Sequence, residues 1–379
     1  EIHSGDWSSD VCSSDLGVRE IAAPGSIPGP VCAFGPDAFC VIAGTSGRAR
    51  LAVVGASRLG EGRVVAYGHE GLMGGAPDGA DGLRLLVNAI GWASGGGGVP
   101  GRVAICGLGG LVETLTGAGL APQRLAPGDL PAGLADVDVL IAHPGSIGAD
   151  LVGAVLTFVR QGGGFITGVC PWGWEQVTGR NLRADLGGNQ VLAAAGLMLA
   201  DGMLGETGPK GYLADRVGLE LAHAGRALEA LEDHAAGRAA LSQEDLNQVS
   251  TTLGTAARAV PPGDTLFLPR IKALCESPAA RCVPAPDVPV TLDQPLARIA
   301  ATLLAAELAE ARPEAVAAHP SAEAFPGAVP ADAPRVRRVL DVDTAVPDWH
   351  STGLYAAPGE VIDVTVPESA AGRGLQVRI

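Results

Sequence analysis

Basic residues are scarce in this chain: Lys and Arg total 26 against 41 Asp and Glu, a formal net charge of −15 over 379 residues. Nucleic-acid binding needs clustered Lys and Arg against phosphate, so the charge balance disfavours that class of partner. No apolar run approaches the ~20 residues of a membrane span. The cysteines form no C-x-x-C pair and have no zinc-site spacing. There is no starting Met, and no basic stretch followed by an apolar one as in a signal peptide. A signal further upstream would leave no trace here, so this last absence excludes little.

What is present divides unevenly along the chain. Residues 6–16 match what a common sequencing-adapter oligonucleotide gives when read in one frame, and we set 1–16 aside as an adapter-derived artefact. Trp7 and Cys12 then carry no weight. The other end alternates apolar and polar residues through Leu375, Val377 and Ile379, the pattern of a half-buried strand. An alternation that stops without a polar tail reads as a cut strand. The length fits about two or three domains, and the apolar content is ample for a folded core.

From 31 to 170 the pattern is α/β. Short apolar runs at 31–34, 39–43, 51–54 and 64–67 lie between Gly-rich turns, and 82–93 places Leu83, Leu86, Val87 and Ile90 on one helical face. A glycine run at 95–98 follows as a linker. The continuous apolar runs 103–106 and 137–142 suit strands buried on both faces of a parallel sheet. A weak helix lies between them, near 111–120. Helical spacing over 151–159 ends at Gly162, Gly163 and Gly164, before a strand at 165–167. Strand, helix, strand with short loops is the pattern of a doubly wound sheet.

Beyond residue 210 the texture becomes helical. Val217, Leu221, Ala224, Leu228 and Leu231 make one stripe. Ser242 with Asp245 three residues on is a capping box, and a further helix covers 296–308 with Ile299, Leu303 and Ala306 facing one way. Proline-rich stretches at 278–289 and 325–334 separate these elements. After Arg335 the period returns to two, with Ile362, Val364 and Val366 inward and Asp363 and Thr365 outward, the start of a β-sandwich.

Each candidate for chemistry has a plainer reading beside it. H-E-x-x-H needs two His one helical turn apart with Glu as general base. His69-Glu70-Gly71-Leu72-Met73 has Met73 where the second His belongs and leaves a strand, so it reads as a polar strand end. Cys170 follows a Gly-rich strand as a nucleophile does on a strained elbow. Pro171 after it has no N–H for an oxyanion, and no His-x-Glu pair follows: His223 is succeeded by Ala224 and Gly225. Gly107, Leu108, Gly109 and Gly110 match no phosphate-loop pattern. Trp172, Trp174 and Glu175 lie at the carboxyl end of a strand, where open α/β sheets bind ligands. They read as ligand or partner contacts, or else as a cap on the sheet core. Cys275 and Cys282 flank a short loop and are read either as a disulfide in an exported protein or as reduced thiols. The remaining cysteines read as buried small apolar residues.

The string Gly62-Arg63-Val64-Val65-Ala66-Tyr67-Gly68-His69-Glu70, followed by Leu85-Leu86-Val87-Asn88-Ala89-Ile90-Gly91-Trp92, resembles the front domain of enhancin-like zinc metallopeptidases. It resembles equally that of their animal relatives, the TRP channel-associated factors. Gly162 through Gly168, Trp172, Trp174, Gly188, Asn189 and Gly196 continue the likeness. Trp349-His350-Ser351-Thr352-Gly353-Leu354-Tyr355, Pro358-Gly359-Glu360 and Pro367-Glu368 are similar to the entry of their β-sandwich. The resemblance is collinear over nearly all of 24–379.

The resemblance implies an amidotransferase-like (flavodoxin-like) α/β domain without catalytic residues over 17–210, a helical connector over 211–325 and a truncated β-sandwich over 326–379. A peptidase domain with its zinc would then lie beyond Ile379, and no catalytic or metal-binding residue and no cofactor is assigned within this chain. The implied parent is a bacterial, extracellular or surface metallopeptidase acting on glycoproteins such as mucins, with glycoprotein or glycan as partner. The alternatives are an interaction module like the channel-associated factors and an amidotransferase-like cysteine hydrolase using Cys170.

Overall fold

A computed structural model describes residues 17–377 apart from 75–79, 96–100, 216, 278–279, 281–282, 286, 325–326, 328, 331 and 347. The glycine run at 95–98 and Cys282 therefore lie largely or wholly outside the described residues. The chain forms two compact units. One holds the described residues up to 282 together with 290–303; the other holds 283–289 and 304–379.

The first unit is built on a seven-stranded sheet. Its strands, with those of two small flanking ladders, are β1 (Glu20–Ile21), β2 (Val31–Ala33), β3 (Phe39–Ser46), β4 (Ala49–Leu59), β5 (Gly62–Tyr67), β6 (Val103–Cys106), β7 (Gln123–Arg124), β8 (Val139–Ala142), β9 (Gly164–Gly168), β10 (Leu197–Leu199) and β11 (Tyr212–Leu213). The main sheet runs β3-β4-β5-β9-β8-β6-β7, while β1 pairs β11 and β10 pairs β2. Strands β5, β9, β8, β6 and β7 are mutually parallel, including the expected runs near 103–106, 137–142 and 164–168. Strands β3, β4 and β5 form an antiparallel meander at one edge.

Every residue of β6, β8 and β9 is buried, which is why these strands read as unbroken apolar runs instead of alternating ones. Helix α1 (Gly82–Ala93) and α2 (Gly110–Gly117) cover one face, through Leu85, Leu86, Ile90 and Leu115. The other face packs on α3 (Ala149–Arg160), through Leu151, Val152, Val155 and Val159. After β9 come α4 (Pro171–Thr178) and α5 (Gly187–Ala194), the latter also on this face. The result is an α/β fold with a mostly parallel central sheet between helical layers.

A third apolar cluster joins this fold to α6 (Ala224–Ala235), α7 (Gln243–Ala259), α8 (Leu268–Cys275) and the first part of α9 (Pro295–Glu310). It brings Cys32, Met198 and Ala200 against Leu228, Leu231, Val249, Leu253, Ile271, Ile299 and Leu303. The segment after 210, read from sequence as a separate connector, is thus part of the same compact unit as the sheet. Its α7 carries the capping box: Ser242 Oγ accepts from Asp245 N at 3.1 Å, and Asp245 Oδ2 accepts from Ser242 N at 3.2 Å.

Two expectations change. The stripe from Val217 to Leu231 is not one helix. A single turn, Leu219–Ala222, ends at His223, whose backbone is extended and whose side chain caps α6, and Val217 lies 65% exposed before it. In the second unit, the described residues from 335 onward contain no strand. Ile362, Val364 and Val366 are 39%, 55% and 50% exposed, not turned inward. A strand is held by inter-strand hydrogen bonds and cross-strand side chains. No described residue pairs with 361–366, so the period-two pattern is there without its partner.

Candidate functional site

Parallel strands end together, so β5, β9 and β8 deliver His69 and Glu70, Cys170, and His143 to one edge of the sheet. Glu70 is the hub. Its Oε2 accepts from Cys170 N at 3.1 Å and stands 3.5 Å from His69 Nδ1. Its charge also reaches His143. Gly107 at the end of β6 adopts φ +74, and a side chain there would crowd the His143 Cβ at 3.0 Å. That glycine belongs to a close approach between strand ends, not to a phosphate loop.

His69 and His143 each cap a short 3-10 turn. Nδ1 of His69 accepts from Gly71 N at 2.8 Å, and Nδ1 of His143 from Gly145 N at 3.1 Å. Burial holds the His143 imidazole below the usual range, with Glu70 opposing. The H-E-x-x-H look-alike therefore fits no zinc. Met73, where the second histidine belongs, is fully buried in the core, the turn spans only Glu70–Met73, and Nδ1 of His69 already accepts a backbone N–H.

Pro171 at the first position of α4 costs no hydrogen bond there, so the helix starts directly on the strand end. Cys170 is its N-cap residue, with φ −71 and ψ 105, an ordinary extended conformation and not a strained elbow. Sγ lies 3.6 Å from Ile27 O and receives the Gly173 N–H. Burial chiefly, and Glu70 in addition, push the thiol above its usual range despite that N–H. A thiolate nucleophile needs a lowered pKa or an adjacent base, and no imidazole is among the described partners of Sγ.

The three residues proposed as contacts all have internal partners. Trp172 Nε1 donates to Ile27 O at 2.8 Å. Trp174 packs half-buried on the apolar layer that holds α3 and α5, with the Arg180 guanidinium 5.6 Å from its ring centre. Glu175 Oε1 accepts from Leu182 N at 3.0 Å. Cys275 ends α8, whereas Cys282 lies outside the described residues.

Two residues hold more of this structure together than their sequence context indicated. Glu70 stood out only in a failed zinc motif and in the family resemblance. Asn189, fully buried in α5, donates from Nδ2 to Leu182 O at 3.0 Å and Leu199 O at 2.9 Å, and its Oδ1 accepts from Leu199 N at 2.8 Å. It closes the open side of β10. An Asn in a helix with two glycines before it was the available signal.

The fold and this edge define an α/β domain with a central, mostly parallel sheet whose strand-end residues are engaged with one another. Residues 4–211, more than half of the chain, match the family model described as "TRPM8, N-terminal domain", the N-terminal domain of the TRPM8 channel-associated factors, and the chain belongs to that family. Residues 331–379 match the N-terminal domain of M60-like peptidases. TRPM8 channel-associated factor 2 of Bos taurus is 32% identical over 179 residues, covering 47% of this chain and 18% of that protein. The Danio rerio homolog is 29% identical over 183 residues, covering 48% and 18%. Among solved structures, the IMPa metallopeptidase from Pseudomonas aeruginosa is similar with TM-score 0.41 and 17% identity, over 80% of this chain and 34% of that one. IMPa in complex with an O-glycopeptide gives the same values. The chain thus spans about a fifth of the curated relatives and about a third of the solved chains.

Proposed function

We propose that this chain is the non-catalytic N-terminal region of a longer, bacterial, enhancin-like zinc metallopeptidase that acts on glycoproteins such as mucins outside the cell or at its surface. The observation that carries the reading is the pairing of two family matches in one chain. A channel-associated-factor N-terminal domain covers 4–211, and an M60-like peptidase N-terminal domain covers 331–379. The motif from Trp349 to Glu368 lies inside the second match. On this reading zinc is bound by residues outside the chain, and the alternating segment 361–366 finds strand partners in the complete protein.

The α/β part takes an amidotransferase-like role in scaffold only. Its strand-end cysteine is raised in pKa and carries no described imidazole partner, which argues against a Cys170 hydrolase. Trp172 and Trp174 keep half-exposed surface at the carboxyl edge, which is where a glycan or protein partner would be met. Recovery of the coding sequence on the 3′ side tests the proposal: an H-E-x-x-H in a helix-forming stretch is expected, and an open reading frame without one would leave the interaction module as the better reading. That second reading draws on the match of 4–211 to the channel-associated factors.

A further inference from the structure

His223 sits at the joint between the helical layer and the sheet, and it is held at both ring nitrogens. Nδ1 accepts from Arg226 N at 3.2 Å, so the ring proton belongs to Nε2, which is 3.0 Å from Gly35 O in the turn between β2 and β3. That turn is itself fixed to the turn before β10: Phe34 N and Gly35 N both donate to Gly196 O, at 2.8 and 3.1 Å. On the helical side Gly225 leaves room for the ring. A side chain there would meet the His223 ring at 3.0 Å and Phe34 O at 3.2 Å. Phe34 continues the joint by packing on Phe267, with ring centres 6.2 Å apart.

We propose that His223 is a proton-operated latch: the neutral ring caps α6 while it holds the turn 34–38, and protonation breaks the cap and so loosens the joint. A second proton on Nδ1 removes the acceptor that Arg226 N requires and places two donors face to face. The ring is buried, so the cation also loses water. On α6 the charged groups facing it are Arg226, which repels the cation, and Glu229, which attracts it. These two pair with each other at 3.4 Å. From the turn, the carbonyls of Gly35 and Ala38 favour the proton, while Asp37 is exposed. The thiols of Cys32 and Cys40, both raised by burial, stay uncharged. Burial is the largest influence on the ring and disfavours its charge, so a proton is taken up more readily by the released state than by the latched one.

Hydrogen exchange on the whole chain tests the latch. After correction for intrinsic rates, the amides of Phe34, Gly35, Ala38, Arg226 and Ala227 should lose roughly tenfold protection between about pH 7.5 and about pH 5, following proton linkage. Amides of α1 should not change. His223→Asn keeps a capping oxygen and cannot be charged, so its protection at these amides should not respond to pH, whereas His143→Asn should respond as the parent does. If His223→Asn does not fold, an NMR titration of the His223 ring decides: its midpoint should lie below about 6.5, the free-imidazole value, and coincide with amide opening. Protection that ignores pH in the parent, a full response in His223→Asn, or a midpoint at or above the free value would each overturn the latch.

Discussion

Gln248 of α7 and Arg50 of β4 are joined by two hydrogen bonds between one side-chain amide and one backbone residue. Oε1 accepts from Arg50 N and Nε2 donates to Arg50 O, both at 2.7 Å. The pair extends the ladder of β4 beyond the end of β5, with a side chain standing in for a strand. Arg50 adds an ion pair to Asp215 at 2.7 Å. Leaving a buried backbone donor and acceptor unmatched costs about 1–3 kcal/mol per group. Gln248→Ala should therefore destabilise the chain by about 2–4 kcal/mol in urea unfolding while keeping a single transition. A change below about 0.5 kcal/mol, as at an ordinary surface position, would show that sheet and helices are not joined there.

Asn189 carries a comparable load at β10. Asn189→Leu keeps the volume but strands Leu182 O, Leu199 N and Leu199 O in the interior, a loss of roughly 3 kcal/mol or more in stability. Asn189→Asp, with one acceptor pair and no amide donor, should fail similarly. A neutral result for either would show that water or another group satisfies those atoms.

Part of this architecture is legible in the sequence, and the reason is periodicity. Strands buried on both faces give the unbroken runs of β6, β8 and β9, and the apolar face of Gly82–Ala93 marks α1 to the residue. The capping box at Ser242 is legible because its chemistry is local. Pro171, Gly187 and Gly188 look like turn residues yet begin helices. Pro costs nothing at a first helical position, and the two glycines let α5 approach Ile147 and Pro144. The meeting of Glu70 with Cys170 is set by strand order, across a hundred residues of chain, and no local pattern records it. The helical stripe misleads at His223 because periodicity cannot show a backbone that turns extended for one residue.

Acid should weaken the fold. The imidazoles of His143 and His223 are both held below the usual range by burial. The unfolded chain then binds protons at a pH where the folded one does not, and stability falls as pH drops through about 6.5 toward the folded values. The contribution is fully present above that range. Unfolding midpoints in urea measured from about pH 8 to about pH 5 should decline, and His143→Asn should flatten part of the decline. A midpoint that rises on acidification would contradict the direction of both shifts.

Cys170 should be a sluggish nucleophile. With its thiol raised by burial and by Glu70, alkylation by iodoacetamide should climb with pH through a midpoint above about 8.5, the value of a free thiol. Glu70→Gln should lower that midpoint. Reaction that is already complete at neutral pH would restore Cys170 as a catalytic candidate.

Limited proteolysis should cut first within 336–377, where the described backbone is irregular and Trp349, Tyr355 and Val339 are exposed. Fragments ending near residue 303 should persist. Early cleavage inside 103–168 instead would place the boundary elsewhere.

Where the chemistry resides is decided by paired zinc and cleavage measurements on two proteins. Elemental analysis and mucin digestion would be run on this chain and on the protein translated from its complete coding sequence. About one zinc per molecule and chelator-sensitive cleavage are expected for the complete protein, with neither zinc nor cleavage for the chain of 379 residues. Stoichiometric zinc and mucin cleavage by this chain alone would contradict that expectation.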